Sequence, residues 1–440
     1  MSYEIKKSQK FNVIIAGIIG WAHDGFALVL VSLLANDLMA AYSVGKAELG
    51  FVMSAQYIMT VFGAAFFGFL ADRFGRKNVL LISVLWDSVF TAISPLAPNF
   101  IIFAILRMIS GLGVSWGISF SLLSESFSPK KRGMAGGLVH ATFVVGYIGA
   151  VITTMILKPM SLVLGSFVIY GWQLCFLSAL FPVPFLIYLE LTLSESQMWE
   201  KAKKETPEIE RVKITELLES RWLKYVFLLT FLFWLSEFAY HVLADWAPTY
   251  FEYVFIDQLQ TTGGNVDSAD TLALMVMLGV MIVAGFALFF TGWISDHIGR
   301  QNTFIGCSLI GIVGITIFII GNFVTFDLLI IIPAVLILTS SFGVHGVFGI
   351  WSSETFPTRL RATATSIIFS LARALGLGAF IVGIVSDSLT PSVSEFVDPI
   401  GWARALAFGM SLSIIAYILM IFVPKLIPET KGIDISKIVD

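Results

Sequence analysis

Five ionisable side chains sit inside stretches that are otherwise apolar: Asp24, Asp87, Arg107, Glu237 and Arg373. A charge held in hydrocarbon costs a few kcal/mol, so each of these must face a partner, water or a ligand. A carboxylate in such a setting can take up and release a proton. A guanidinium there offers a planar fork that matches a carboxylate. The chemistry on offer is recognition and proton exchange rather than catalysis. There is no Gly-x-x-x-x-Gly-Lys-Ser/Thr nucleotide loop and no Cys/His metal spacing, so no enzyme activity, cofactor or metal is expected. Without a nucleotide site, any work on a solute must draw on an ion gradient or on passive exchange.

Depth suggests how these charges pair. Asp24 lies 13 residues into its apolar run and Arg107 six residues into another that enters from the opposite side. At 1.5 Å per residue these are depths of about 20 and about 9 Å, which nearly coincide across ~30 Å of hydrocarbon. An Asp24–Arg107 pair can therefore form, either as a fixed structural contact or as a coupling switch in which protonation of Asp24 releases Arg107. Arg373 lies too deep to snorkel. It either anchors a substrate carboxylate or ties two helices together through Glu237. Both readings hold if the substrate competes with Glu237 for Arg373 while Glu237 takes up the proton.

Trp116, Trp234, Tyr240 and Trp351 are the candidate walls of a substrate cavity. Among amides only Gln56 lies well inside an apolar run, with Gln173 and Asn322 near edges. An apolar, aromatic cavity with one or two charges suits a small carboxylate with an apolar body better than a sugar, whose hydroxyls need many polar partners. His23, His140, His241 and His345 also fall within apolar runs, as proton relays or as hydrogen-bonded packing residues. Asp87 has no partner legible in the sequence.

The elements that position these residues are membrane spans. The chain has 440 residues, 57% hydrophobic and 13% charged, with a mean hydropathy of +0.88. A soluble domain carries about 25% charged residues. Twelve runs approach the ~20 residues that cross hydrocarbon as a helix: 11–35, 49–71, 79–96, 101–125, 134–157, 169–192, 223–248, 271–293, 303–321, 328–352, 362–386 and 403–424. They are continuous rather than alternating, which excludes a membrane barrel. The first run follows Lys6, Lys7 and Lys10 and has no small-residue cleavage site, so it reads as a retained helix rather than a signal peptide. The net charge of −3 gives no footing for nucleic acid, and the two cysteines, Cys175 and Cys307, sit in apolar runs with no disulfide implied.

Of the 27 Lys and Arg, 22 fall at the two termini and in alternate loops on one side, which the positive-inside rule makes cytoplasmic. Residues 193–222 form the one long hydrophilic connection, a linker between a six-span bundle over 1–192 and a second over 223–440. The two halves repeat. Gly68-Phe-Leu-Ala-Asp72-Arg-Phe-Gly75-Arg76-Lys77 returns as Gly292-Trp-Ile-Ser-Asp296-His-Ile-Gly299-Arg300, with Asp296 224 residues after Asp72. Glu125-Ser-Phe-Ser-Pro-Lys-Lys-Arg132 pairs with Glu354-Thr-Phe-Pro-Thr-Arg-Leu-Arg361. Gly171-Trp172 pairs with Gly401-Trp402, and Ser194-Glu195-Ser196 with Pro428-Glu429-Thr430. A steady offset over four motifs marks internal repeats, and repeats of this kind place a substrate site between the halves near mid-membrane.

The Gly-x-Leu-Ala-Asp-Arg-x-Gly-Arg-Lys stretch resembles the signature between spans two and three of major facilitator transporters. Glu354 to Arg361, the tail Ile427-Pro-Glu-Thr-Lys-Gly432 and Arg107-x-x-x-Gly111-x-Gly113 resemble the sugar-porter group within them. Asp24-Gly25-Phe26 resembles the first-span motif of carboxylate:proton symporters, with Ala27 where that motif has a second Asp. Phe238-Ala-Tyr240 through Trp246-Ala-Pro248, and Arg361 through Arg373 to Gly376, resemble the nicotinate and organic-ion branch, where the span-eleven arginine is associated with organic anions. Paired span-seven glutamines of hexose porters are absent.

The resemblance implies an all-α membrane protein of twelve transmembrane helices in two pseudo-symmetric six-helix bundles. It implies alternating access and proton-coupled symport of a small organic anion, with an Asp24–Arg107 pair in the coupling; Glu237 joins them through its exchange with substrate at Arg373. Sugar or polyol symport is the runner-up; phosphate uptake and drug export are weaker. The expected setting is a cell membrane, with a small-molecule substrate, protons and the bilayer as partners and a monomer as the working unit. Asp72, Gly75 and Arg76 are expected beside Glu125 and Arg132, and Asp296, Gly299 and Arg300 beside Glu354 and Arg361. Both clusters are expected to hold the inner gate closed.

Overall fold

A computed structural model describes residues 7–113, 115, 118–119, 132–195, 217, 219–356, 358–390, 394 and 396–431. Once an apolar run enters lipid, a helix is the only open-chain way to satisfy its backbone, and the described chain is helical almost throughout. The first half runs α1 (Lys7–Leu33), α2 (Ala35–Tyr42), α3 (Lys46–Phe74), α4 (Arg76–Ile93), α5 (Phe100–Gly111) and α6 (Arg132–Leu157), with α7 (Gly171–Leu177) and α8 (Val183–Thr192) forming its sixth span. The second half runs α9 (Ser220–Ala244), α10 (Ala247–Thr262), α11 (Ala269–Ile298), α12 (Arg300–Ile320), α13 (Leu328–Ser341), α14 (His345–Thr355), α15 (Thr358–Ala374), α16 (Gly378–Leu389), α17 (Pro399–Ser411) and α18 (Ser413–Phe422). Ten stretches among the described residues are long and apolar enough to cross a membrane, and α5 is a shorter apolar helix. The architecture is the expected twelve-helix one, two six-helix bundles side by side.

Several spans are broken rather than continuous, a feature that apolar periodicity does not reveal. Span eleven stops at Ala374 and restarts at Gly378, which frees backbone carbonyls near mid-membrane. Trp234 of α9 satisfies one of them, its Nε1 donating to the Leu375 carbonyl at 2.7 Å, and Trp246, the N-cap of α10, donates from Nε1 to the Ala379 carbonyl in the first turn of α16 at 2.9 Å. A second departure is the antiparallel hairpin β1 (Ser161–Leu164) and β2 (Phe167–Tyr170), joined at Gly165-Ser166. Gly165 takes φ +64°, and the strand side chains Val163 and Tyr170 project outward. The hairpin sits in the loop between two spans, its two-residue turn made by a glycine with positive φ, and leaves the all-helical membrane portion as expected.

The two repeated hairpins are tighter than their sequence suggests. Gly75 alone links α3 to α4 at φ +102°, and Gly299 alone links α11 to α12 at φ +94°. Backbone of this kind is almost confined to glycine. These turns mark one end of the bundle, the hairpin face, which also receives both ends of the described chain.

Contacts between the halves run along α3 with α15 and α16, α6 with α11 and α14, and α1 with α10. Small residues let the backbones touch. A Cβ on Gly50 of α3 would lie 2.5 Å from the Ala379 carbonyl oxygen, and one on Gly383 of α16 would lie 2.4 Å from that of Lys46.

Candidate functional site

A cavity of about 640 Å³, counting the space open to solvent, lies between the halves. Trp21, His140, Phe143 and Val144 line it from the first half, and Glu237, Tyr240, Met281, Phe342, His345, Phe369 and Arg373 from the second. It is a largely apolar and aromatic space with a few charged groups converging on it.

Arg373 ends the last turn of α15, where the helix terminus favours a cation. Its guanidinium lies over four rings: Tyr57 at 5.1 Å, Trp21 at 5.7 Å, Phe143 at 5.9 Å and Phe369 at 6.0 Å. Among the described residues no carboxylate comes within ion-pair distance of it, although the residue is only 5% exposed. The expected Glu237–Arg373 tie is therefore absent. Glu237 is held instead between two imidazoles, with Oε2 3.3 Å from His241 Nε2 and Oε1 3.4 Å from His345 Nε2. His345 also meets Ser236 Oγ at 3.0 Å and the Phe342 carbonyl at 2.9 Å.

Asp24 and Arg107 do not pair either. Asp24 Oδ2 accepts from the Ser115 amide at 3.1 Å and its hydroxyl at 3.2 Å, while Oδ1 is buried without a hydrogen-bond partner. Arg107 turns away toward α4 and α3. It donates to Thr91 Oγ1 at 2.8 Å, Gln56 Oε1 at 2.9 Å and the Ala27 carbonyl at 2.7 Å. Thr91 passes the contact on by donating to Asp87 Oδ1 at 3.1 Å. Asp87 Oδ2 lies 3.4 Å from His23, which meets Ser88 Oγ at 3.0 Å. Asp87, which had no partner in the sequence, is thus the acidic end of a buried polar chain that reaches both terminal nitrogens of Arg107 and leaves its Nε without a partner among the described residues. Equal depth along two spans did not imply equal azimuth, and the guanidinium had better acceptors on the other side. Two charges act on Asp24 in opposite senses, that of Asp87 first and that of Arg373 second.

Of the expected aromatic residues, Tyr240 lines the cavity, 5.2 Å from Phe342 and 5.9 Å from His345 between ring centres. Trp234 and Trp351 lie outside it. Trp234 is occupied with the Leu375 carbonyl, and Trp351 is fully buried with Nε1 donating to the Pro428 carbonyl at 3.0 Å. Trp116 and Glu125 lie outside the described residues, as do the side chains of Asp72, Arg132 and Arg361.

On the hairpin face of the second half, Arg300, Asp296 and Glu354 come together. Arg300 grips Glu354 with two bonds of 2.9 and 3.1 Å and reaches Asp296 at 2.8 Å, and Thr430 Oγ1 donates to Glu354 at 2.6 Å. Glu429 caps α12 by accepting from the Arg300 and Gln301 amides at 3.0 Å each. In the first half Glu195 caps α4 in the same manner, accepting from the Arg76 amide at 2.9 Å and the Lys77 amide at 3.2 Å. The repeated glutamates that the sequence paired are therefore equivalent caps on equivalent helices. Partial burial acts to raise the Glu429 pKa, but four backbone amides outweigh it and hold the carboxyl below its usual value. These described contacts each lie within one half and staple it to itself.

Polar bridges between halves cluster at mid-depth and on the opposite face. Lys46 Nζ donates to Thr390 Oγ1 at 2.9 Å and lies 4.0 Å from both Asp387 Oδ1 and the Trp402 ring centre. Lys158 Nζ joins Asp37 at 3.2 Å to Asp270 at 3.1 Å. Burial acts to lower the Lys158 pKa, but Asp37, Glu252 and Asp270 overcome it and hold it above the ordinary lysine value. Tyr253 donates to Asn36 at 3.0 Å, Tyr57 to Asp245 Oδ1 at 3.4 Å, and Ser32 to the Asp245 carbonyl. The opposite face is closed.

Asp245 escaped the sequence reading. Its signal was present: Glu237, His241 and Asp245 recur every four residues, which puts all three on one helical face. Lys46 and Lys158 gave no comparable signal, because near span ends a lysine reads as an ordinary membrane-edge residue.

A family model described as Major Facilitator Superfamily matches residues 13–381. The chain is 25% identical over 424 residues to a probable 4-methylmuconolactone transporter of Cupriavidus pinatubonensis, covering 95% of this chain and 90% of that protein. It is 26% identical over 435 residues to a cis,cis-muconate transport protein of Acinetobacter baylyi, covering 93% and 92%. Among solved structures, the xylose transporter XylE from E. coli, in a partially occluded inward open conformation, superposes with a TM-score of 0.69 at 18% identity over 97% of this chain and 100% of that one. That likeness concerns the fold.

Proposed function

The chain belongs to the Major Facilitator Superfamily and is a membrane-spanning transporter of small molecules, and we propose that its solute is a small organic carboxylate with an apolar or unsaturated body, carried with a proton. The observation that carries this reading is Arg373: a buried guanidinium at a cavity wall, caged by rings, with no protein carboxylate in ion-pair reach among the described residues. A solute carboxylate supplies the missing counter-charge through two charge-assisted hydrogen bonds, while Trp21, Phe143 and Phe369 receive its apolar part. The relatives named for muconate and a muconolactone support the class. The sugar alternative has weak footing, since no Asn or Gln lines the cavity among the described residues.

In this reading the hairpin face is cytoplasmic, with both chain ends, and the membrane is the cell's own. The halves divide at 193–222 and rock as rigid bodies in a monomer, each kept rigid by its stapled hairpin. Asp24, facing Arg373 with one free oxygen, and Glu237 are the proton-accepting carboxylates. Arg107 sets the neighbouring polar chain rather than pairing with Asp24. The test is uptake into proteoliposomes, with and without an inward proton gradient, of muconate, benzoate, xylose and phosphate. Accumulation of a carboxylate that depends on the gradient is expected. Transport of xylose or phosphate with every carboxylate inert overturns the proposal.

A further inference from the structure

Asp245 is placed where the cavity and the closed face meet, and His241 connects the two. His241 Nδ1 lies 3.0 Å from Asp245 Oδ2. Its Nε2 points at Glu237 Oε2 from 3.3 Å but lacks hydrogen-bond alignment, and it is a buried nitrogen without a hydrogen-bond partner. One imidazole with a carboxylate on each nitrogen is a proton site by construction. A neutral ring carries one N–H and can serve only one of the two acceptors, whereas an imidazolium serves both. All three groups are buried, with His241 1% and Glu237 and Asp245 each 5% exposed.

The groups facing this triad come from both halves. From α3, the Tyr57 ring lies tilted 4.0 Å from His241 while its hydroxyl donates to Asp245 Oδ1. From α15, the Arg373 guanidinium lies 5.1 Å from the centre of the Tyr57 ring. From α14, His345 holds the second Glu237 oxygen. Tyr240 of α9 and Tyr147 of α6 complete the surroundings, both within electrostatic reach of Asp245. From α1, Ser32 donates to the Asp245 backbone carbonyl. Asp245 therefore touches the other half through two helices and touches the proton site through His241.

We propose that Glu237, His241 and Asp245 form a proton-binding site whose occupancy controls closure of the opposite face. With a proton on His241 the triad carries a net single negative charge, with His345 beside Glu237 and Arg373 over Tyr57 as the basic groups around it. Without it the triad carries two, and sealing that surplus away from water is costly. Loss of the proton therefore favours opening, which wets Asp245 and separates it from Tyr57 and Ser32. The proposal goes beyond the carboxylate reading and can be tested without any solute, so the two fail separately.

The test measures the distance between nitroxides at Pro98→Cys and Thr261→Cys, exposed positions on the opposite face of the two halves, in lipid nanodiscs from pH 5 to 9. The unmodified triad is expected to show a short distance at low pH and a growing long-distance population as pH rises. His241→Gln, which cannot take the proton, should lose that response. Asp245→Asn removes the surplus charge and should stay closed at every pH. A purely structural role for Asp245 predicts the opposite sign, opening at every pH. A flat profile in the parent, a retained response in His241→Gln, or constitutive opening in Asp245→Asn each overturns the proposal.

Discussion

Replacing Arg373 separates a substrate anchor from a structural tie, because the two roles predict different losses. A carboxylate gripped by the fork makes two hydrogen bonds to a charged group, each worth about 1.5–3 kcal/mol. Arg373→Gln should then weaken carboxylate binding by about 3–6 kcal/mol, or roughly 100- to 10,000-fold at 1.4 kcal/mol per tenfold. Arg373→Lys keeps the charge but loses the fork, so about 10- to 100-fold is expected. Stability should respond far less. No described carboxylate is left unpaired by either change, and in the Gln variant the four ring contacts at 5.1–6.0 Å that are lost are offset by removal of a buried charge. The net cost should stay within about 1 kcal/mol, against about 3–5 kcal/mol when one partner of a buried ion pair is removed. The assay is thermal unfolding in nanodiscs with and without a carboxylate ligand. Binding raises the melting point in proportion to RT ln(1 + [L]/Kd), so one experiment reads both quantities. A Gln variant that binds carboxylates as the parent does refutes the anchor. An apo melting point that falls by the cost of a broken ion pair refutes the unpaired guanidinium.

Glu354→Gln leaves the buried Arg300 with a neutral partner in place of a two-bond carboxylate; a loss of about 2–4 kcal/mol is expected in thermal unfolding, and no loss would show the staple to be ornamental. Gly75→Ala and Gly299→Ala place a methyl 2.1 Å from Glu195 Oε2 and 2.6 Å from Glu429 Oε2; each should cost about 1–3 kcal/mol from backbone strain alone, read in the same melts. Glu429→Gln weakens the cap on α12 by about 1 kcal/mol near neutral pH, less where solvent screens it. Because the folded carboxyl has a lowered pKa, that difference should persist above the unfolded value near 4.3 and vanish as pH falls through the folded one. Lys46→Met removes a bridge between halves, and a worth of about 1–2 kcal/mol would raise the open fraction of the opposite face roughly 5- to 30-fold, detectable as faster labelling of Ser54→Cys on α3.

The sequence by itself determined that this chain crosses a membrane about a dozen times and that it is a duplicated transporter, and it singled out five charges inside apolar runs for which the fold had to find a place. Hydropathy has a physical threshold, set by the thickness of hydrocarbon. Motifs repeated at a steady offset carry their meaning in one dimension, as the equivalent glutamate caps Glu195 and Glu429 illustrate. Partnership was decided in three dimensions. Asp24 and Arg107 share a depth, yet they face different neighbours because rotation about a helix axis is fixed by packing that depth cannot encode. Glu237 was drawn to His241 and His345, which left Arg373 to the rings of four different helices. Trp234 became a backbone cap only because span eleven breaks beside Arg373. An ionisable residue in an apolar run must find a partner, so its importance is local and legible. Which partner it finds depends on how the helices turn against one another, and only the assembled bundle decides that.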